Sequence, residues 1–170
     1  MKRLTDILNK KVVTYSGEDL GKIIDVLFDC RKLNVTGYII SKRRGILSRY
    51  YFVTPKQINI VSDVIIISNL DKNLSKIKYK VIRKLSLAER LGNSVFSKNT
   101  SYLGSLKDII FDEYTGEIKA LCVTNGILND LINGRNIILV DKDTKFKSKF
   151  IIVNDDIRIL NKASINKILR

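Results

Sequence analysis

The chain has 170 residues, 45% of them hydrophobic and 28% charged, with 31 Lys and Arg against 17 Asp and Glu for a formal net charge of +14. That length holds one domain or two small ones, and no apolar run approaches the roughly 18–20 residues needed to cross a bilayer. The absence of histidine removes Ser-His-Asp and Cys-His catalysis and most zinc sites, and two cysteines, Cys30 and Cys122, make no disulfide framework.

The opening MKRLTDILNKK is basic but lacks the apolar core of a signal peptide, so a reducing, cytoplasmic location is expected. It predicts a short helical turn. KIIDVLFD alternates as a strand, with Ile23, Asp25, Leu27 and Asp29 on one face and Ile24, Val26 and Phe28 on the other. DCRKLN is a polar turn and VTGYIIS the returning strand of a hairpin. YYFVT reads as a third strand, and INIVSDVIII as two short strands split at Ser62-Asp63. The pattern then starts again. Ser86 and Glu89 have the capping-box spacing before Leu91; IKALCVT is a returning strand, NIILV a third strand, and FIIVNDDIRIL a split pair.

The restart is a duplication. LGKIIDVLFD (Leu20–Asp29) returns as LGSLKDIIFD (Leu103–Asp112), 83 residues later at every matched position. Leu4, Leu8 and Val12 meet Leu87, Leu91 and Val95 at the same offset, which holds as far as Ser41 and Thr124. It is expected to resume at 93, pairing Ile58 with Ile151 and Ile60 with Val153, so that the second copy carries ten extra residues in one place. The mismatch of Ile24 with Lys107 predicts a barrel end, where a lysine stem can reach water. The expected organisation is repeat 1 over 1–68, a basic linker over 69–84, repeat 2 over 85–160 and a tail over 161–170. Five or six short strands per copy favour a small barrel, because an open sheet leaves reactive edges.

The phrase Leu-Gly-x-x-x-Asp followed by two apolar residues and Phe-Asp, then a turn and an apolar strand, resembles the PRC-barrel family. Pro55 followed by INIVSDVIII is similar to that family's ending; the second copy has Val140-Asp141 near the place of the proline. The resemblance implies a mainly β chain of two tandem PRC-type barrels with short helical turns. It also implies a binding rather than catalytic role. Barrels of this family form the cytoplasmic part of a photosynthetic reaction-centre subunit and the C-terminal part of a ribosome maturation factor.

The repeated residues themselves read as scaffold. Gly21 and Gly104 suit a crowded strand start or a positive φ, Asp29 and Asp112 suit turn hydrogen bonds, and Phe28 and Phe111 suit the cores. The alternative is a metal held by Asp25, Asp29, Asp108 and Asp112, against which stands the common use of acids at strand ends as turn formers. No phosphate-loop spacing occurs, Cys30 falls in a turn beside Arg31 and Lys32, and Cys122 reads as core. No cofactor, metal or enzymatic activity is expected.

Charge is the stronger lead. SKRRGILSR holds Lys42, Arg43, Arg44 and Arg49 without an acid, and DKDTKFKSK holds Lys145, Lys147 and Lys149. The linker adds Lys72, Lys76, Lys78, Lys80, Arg83 and Lys84, with Tyr50, Tyr51 and Tyr79 close to basic residues. Such surfaces attract an acidic protein, a ribonucleoprotein or RNA; solvated loops are the competing reading. The expected function is an adaptor contacting a protein or ribonucleoprotein partner. A peripheral protein on anionic lipid is the alternative, although the tail ASINKILR is too short for a strong anchor. Homo-oligomerisation is a further candidate.

Overall fold

The structure is a computed structural model that describes residues 1–44, 47–61, 63–67, 82–126, 136–155 and 159–160. The chain is mainly β. It begins with β1 (Lys2–Arg3) and a one-turn helix, α1 (Leu4–Ile7). The first sheet comprises β2 (Lys11–Thr14), β3 (Asp19–Asp29), β4 (Asn34–Arg44), β5 (Leu47–Val53), β6 (Ile58–Val61) and β7 (Val64–Ile67), in the order β5-β4-β3-β2-β7-β6. The second comprises β8 (Ser94–Ser97), β9 (Tyr102–Phe111), β10 (Ile118–Thr124), β11 (Asn136–Leu139), β12 (Lys145–Phe146), β13 (Phe150–Val153) and β14 (Ile159–Leu160). Its order is β12-β13-β8-β9-β10-β11-β14, with β1 also pairing β9.

Local chemistry sets these elements. β-branched runs such as Val64–Ile67 favour the pleated conformation. The two long hairpins turn on Asp29 and Asp112, whose carboxylates accept backbone N–H groups two and three residues on. Asp29 accepts from Arg31 at 2.8 Å and Lys32 at 3.2 Å; Asp112 accepts from Tyr114 at 2.9 Å and Thr115 at 2.8 Å.

The duplication extends to irregularities of pairing. In the first sheet Leu20, Ile24 and Thr36 are each skipped by the register; in the second Leu103, Lys107 and Lys119 are skipped at the same offset of 83. Each is a β-bulge, and one extra residue turns the strand beyond it over. This corrects the expected faces of β3. Ile23 lies in the core with Val26 and Phe28, while Ile24, left unpaired by the bulge, is half-buried. The Ile24/Lys107 mismatch therefore sits at a bulge within a long strand, not at a barrel end.

Pairing also corrects the later register. Ile39 pairs with Phe52 and its equivalent Cys122 with Ile137, an offset of 85 across the hairpin. Val12 pairs with Ile65 and its equivalent Val95 with Ile151, an offset of 86; Ile60 and Phe146, their neighbours, stand at the same offset. The expected resumption at 93 was an apolar coincidence, since FIIV occupies the place of VIII rather than INIV. The second copy has two extra residues in the β10–β11 connection and one before β12, not ten together.

The repeats exchange their first segments. Arg3 pairs with Ile110, and at the equivalent positions Ser86 bridges Leu27. The amide of Thr5 donates to Asp108 Oδ1 at 3.1 Å, and that of Ala88 to Asp25 Oδ1 at 3.3 Å. The hairpin turns meet in the same reciprocal manner. Val35 N donates to Gly116 O at 2.8 Å and Ile118 N to Leu33 O at 2.9 Å, around the Asn34–Glu117 bridge. Each atom pair maps onto the other by adding 83 to the member in repeat 1 and subtracting 83 from the member in repeat 2, so the repeats form a pseudo-twofold pair. Their inner faces share one core containing Leu4, Ile7, Phe28, Leu87, Phe111 and Phe146, with the Phe28 and Phe146 rings edge-to-face at 5.0 Å.

Candidate partner-binding surface

The residues of the duplicated phrase are held by backbone and core. A Cβ on Gly21 would stand 2.1 Å from Ser41 O, and one on Gly104 would stand 2.2 Å from Thr124 O. Their φ angles are +105° and +131°, so both close approach and conformation demand glycine. Phe28 and Phe111 are buried in the shared core. Asp25 and Asp108 are buried too, and each carboxylate anchors the first segment of the other repeat. Burial pushes the Asp25 carboxyl upward, opposed by a hydrogen bond from the Ser86 hydroxyl and by the amides of Ala88 and Val26. The turn amides draw Asp29 and Asp112 downward instead. Among the described residues no three His, Cys, Asp or Glu side chains are grouped to hold a metal ion.

The basic residues fall into two groups on different sheets. Lys42, Arg43, Arg44 and Arg49 end the β4–β5 hairpin, where Lys42 pairs with Arg49 across the strands and Arg44 with Leu47. Arg43 and Arg49 are exposed, and the Arg44 side chain lies outside the described residues. Lys42 is drawn back: its Nζ stands 3.5 Å from Glu18 Oε1 and its side chain is only 21% exposed. The acid-free reading of SKRRGILSR missed this partner, which comes from the turn before β3. Lys145, Lys147 and Lys149 are exposed on β12 and its turn into β13, at the edge of the second sheet. Tyr51 packs against the core and Tyr50 is half-buried. Tyr79 and the linker lysines 72, 76, 78 and 80 lie outside the described residues; Lys84 is exposed.

Cys30 is exposed and lines a surface cavity of about 400 Å³ with Phe28, Asp29, Arg31, Thr36 and Leu85. Cys122 is buried, in a small cluster with Ile110, Ala120 and Ile137.

A second surface feature escaped the sequence reading. Lys145, Ile152, Phe96 and Tyr102 are successive partners across β12, β13, β8 and β9 and so line one face of the sheet. Phe150 joins them, its ring 6.4 Å from Phe96, whose ring lies 5.6 Å from Tyr102. The usable signal was an aromatic on β8 and on β9, Phe96 half-buried and Tyr102 exposed, but it depends on knowing that β13 runs parallel to β8.

The PRC-barrel domain model matches this chain twice, over residues 1–74 and 84–159. The chain belongs to the PRC-barrel family. The two matches cover both sheets of the pseudo-twofold pair, so this PRC-barrel protein is a tandem one. Among curated proteins, none matches it. Among the described residues no helix is long and apolar enough to cross a membrane.

Proposed function

We propose that this PRC-barrel protein is a non-catalytic cytoplasmic adaptor that holds an acidic protein or ribonucleoprotein partner. The observation that carries the reading is the exposed basic charge at the end of the β4–β5 hairpin, in a chain of net charge +14 whose duplicated acids are occupied by structural hydrogen bonds. Exposed charge of this kind sets encounter rate and partner tolerance. Lys145, Lys147 and Lys149 supply a second basic site on the other sheet.

The test is retrieval of partners by the wild type and by the Arg43→Glu/Arg49→Glu variant, with and without RNase. The variant is expected to remain folded, because exposed charges add little to stability, and to lose partners. Identical partners at identical salt sensitivity would reduce the hairpin to a solubilising feature. Retention of the purified protein on anionic liposomes without RNA or protein would replace the reading with a lipid surface.

A further inference from the structure

The pseudo-twofold relation permits a position-by-position comparison of the two outer faces. On the second sheet one row across four strands reads Lys145, Ile152, Phe96 and Tyr102. On the first sheet the equivalent row reads Asn59, Ile66, Val13 and Asp19. The neighbouring position in β13 is Phe150, where β7 has Val64. Repeat 2 thus carries three aromatic rings and a lysine where the same framework in repeat 1 has aliphatic residues, an amide and an acid. The framework does not require the rings.

Two of the rings are exposed, and Phe96 is half-buried. Tyr102 is 52% exposed and Phe150 38% exposed. Tyr102 is steadied by its hydroxyl, 3.1 Å from Ser105 Oγ. A shallow apolar cleft of about 280 Å³ opens between Phe96, Phe150 and Ile152, with Lys98 at its rim. Lys98 is engaged with Asp143 at 3.0 Å, whereas Lys145, Lys147 and Lys149 are exposed along the same edge. Rings 5.6 and 6.4 Å apart, tilted 59° and 82° to one another and bordered by cations, offer separate faces to a ligand with alternating flat bases and phosphates. A duplex hides its base faces, while a single strand offers them.

We infer that the outer face of β12, β13, β8 and β9 is a stacking platform for single-stranded nucleic acid, with Phe96, Tyr102 and Phe150 under the bases and Lys145, Lys147 and Lys149 at the phosphates. It rests on the proposed basic-surface adaptor reading and narrows the partner class for the second sheet.

The test is fluorescence anisotropy of the full chain with labelled oligouridine, labelled oligothymidine and a duplex, each of about 12 nucleotides. Single strands should bind more tightly than the duplex, and the two labelled single strands separate RNA from DNA. Tyr102→Ala and Phe150→Val should each weaken single-strand binding about ten-fold, and Tyr102→Phe should stay within about two-fold of the wild type. Phe150→Val installs the residue that repeat 1 carries at that position, so the fold tolerates it, and thermal unfolding verifies this. Lys145→Gln/Lys147→Gln should flatten the salt dependence by about 0.7 for each phosphate no longer neutralised, while the aromatic variants leave the slope unchanged.

No binding to either single strand overturns the inference, as does binding that ignores both Tyr102→Ala and Phe150→Val. If Arg43→Glu/Arg49→Glu abolishes nucleic-acid binding while the aromatic variants do not, the platform is wrong and the basic-hairpin reading stands. Loss of nucleic-acid binding in the aromatic variants, with the hairpin variant still retrieving every partner, supports the platform and removes the hairpin.

Discussion

Repeat 1 and repeat 2 are built on the same frame and present different surfaces. They share the three bulges, the two close-approach glycines, the two turn aspartates and the two buried aspartates that grip each other's first segments. Their outer faces diverge, with Phe96, Tyr102 and Phe150 in one and Val13, Asp19 and Val64 in the other. The difference separates two kinds of constraint. Backbone contact and core volume leave almost no choice of residue, whereas a solvent-facing pleat accepts whatever a binding function needs.

Equivalent substitutions in the two repeats can break or sharpen that comparison. The largest expected effect is at the glycines. Gly21→Val and Gly104→Val each force a side chain into a carbonyl at a positive φ, and each should cost more than about 3 kcal/mol or prevent folding, read by urea denaturation. Gly92→Ala has the positive φ without the clash and should cost about 1 kcal/mol, which isolates the close approach as the main term. A similar loss in all three would mean that the strands can move apart.

Next come the exchanged segments. Leu4→Ala and Leu87→Ala empty equivalent, fully buried sites and should each cost about 2–5 kcal/mol. Because each side chain is seated in the shared core, either loss should lower the stability of the whole chain in a single transition. Two separate transitions, one per repeat, would show that the shared core does not couple the repeats.

A smaller effect distinguishes the two anchors. Asp108 accepts both the amide and the hydroxyl of Thr5, while Asp25 takes an amide from Ala88 and a hydroxyl from Ser86. Ser86 is buried and its Oγ also accepts the amide of Glu89 at 2.9 Å, whereas Thr5 is exposed, so Ser86→Ala should cost about 1–2 kcal/mol and Thr5→Ala less, at positions that are not equivalent in sequence. A negligible cost at one would show that the carboxylate finds another donor there.

The smallest effect is a slope. Asp25 has a raised folded pKa because it is buried, so it binds its proton more tightly folded than unfolded. Its contribution is fully present below the unfolded value of 3.8 and is lost as pH rises through the folded value. Asp25→Asn has no such titration. Relative to this variant, the wild type should gain stability as pH falls from neutral toward 4, measured by urea midpoints across that range. Parallel pH profiles would show that the carboxylate is solvated in place.

The duplication, the mainly β character and the turn aspartates were legible in the sequence because local rules govern them: alternation, turn chemistry and a fixed offset of 83 through two unbroken hairpins. The phrase from Leu20 to Asp29 carried the family because its glycine, acids and phenylalanine answer to short-range geometry. The bulge at Ile24 was invisible, since an extra residue in a strand has no signature until its partner is known, and it reversed the assignment of Ile23 to a face. The true offset of 86 was hidden for a related reason: short apolar runs such as INIV and FIIV are interchangeable in composition, and only the parallel pairing of β13 with β8 distinguishes them. Long-range chemistry was decided by tertiary structure alone. Glu18 reaches Lys42, Asp25 and Asp108 hold segments 63 and 103 residues away, and three rings from separate strands come onto one face. Sequence records what each residue prefers among its neighbours in the chain; which distant residue becomes a neighbour is set by how the two repeats close around one core.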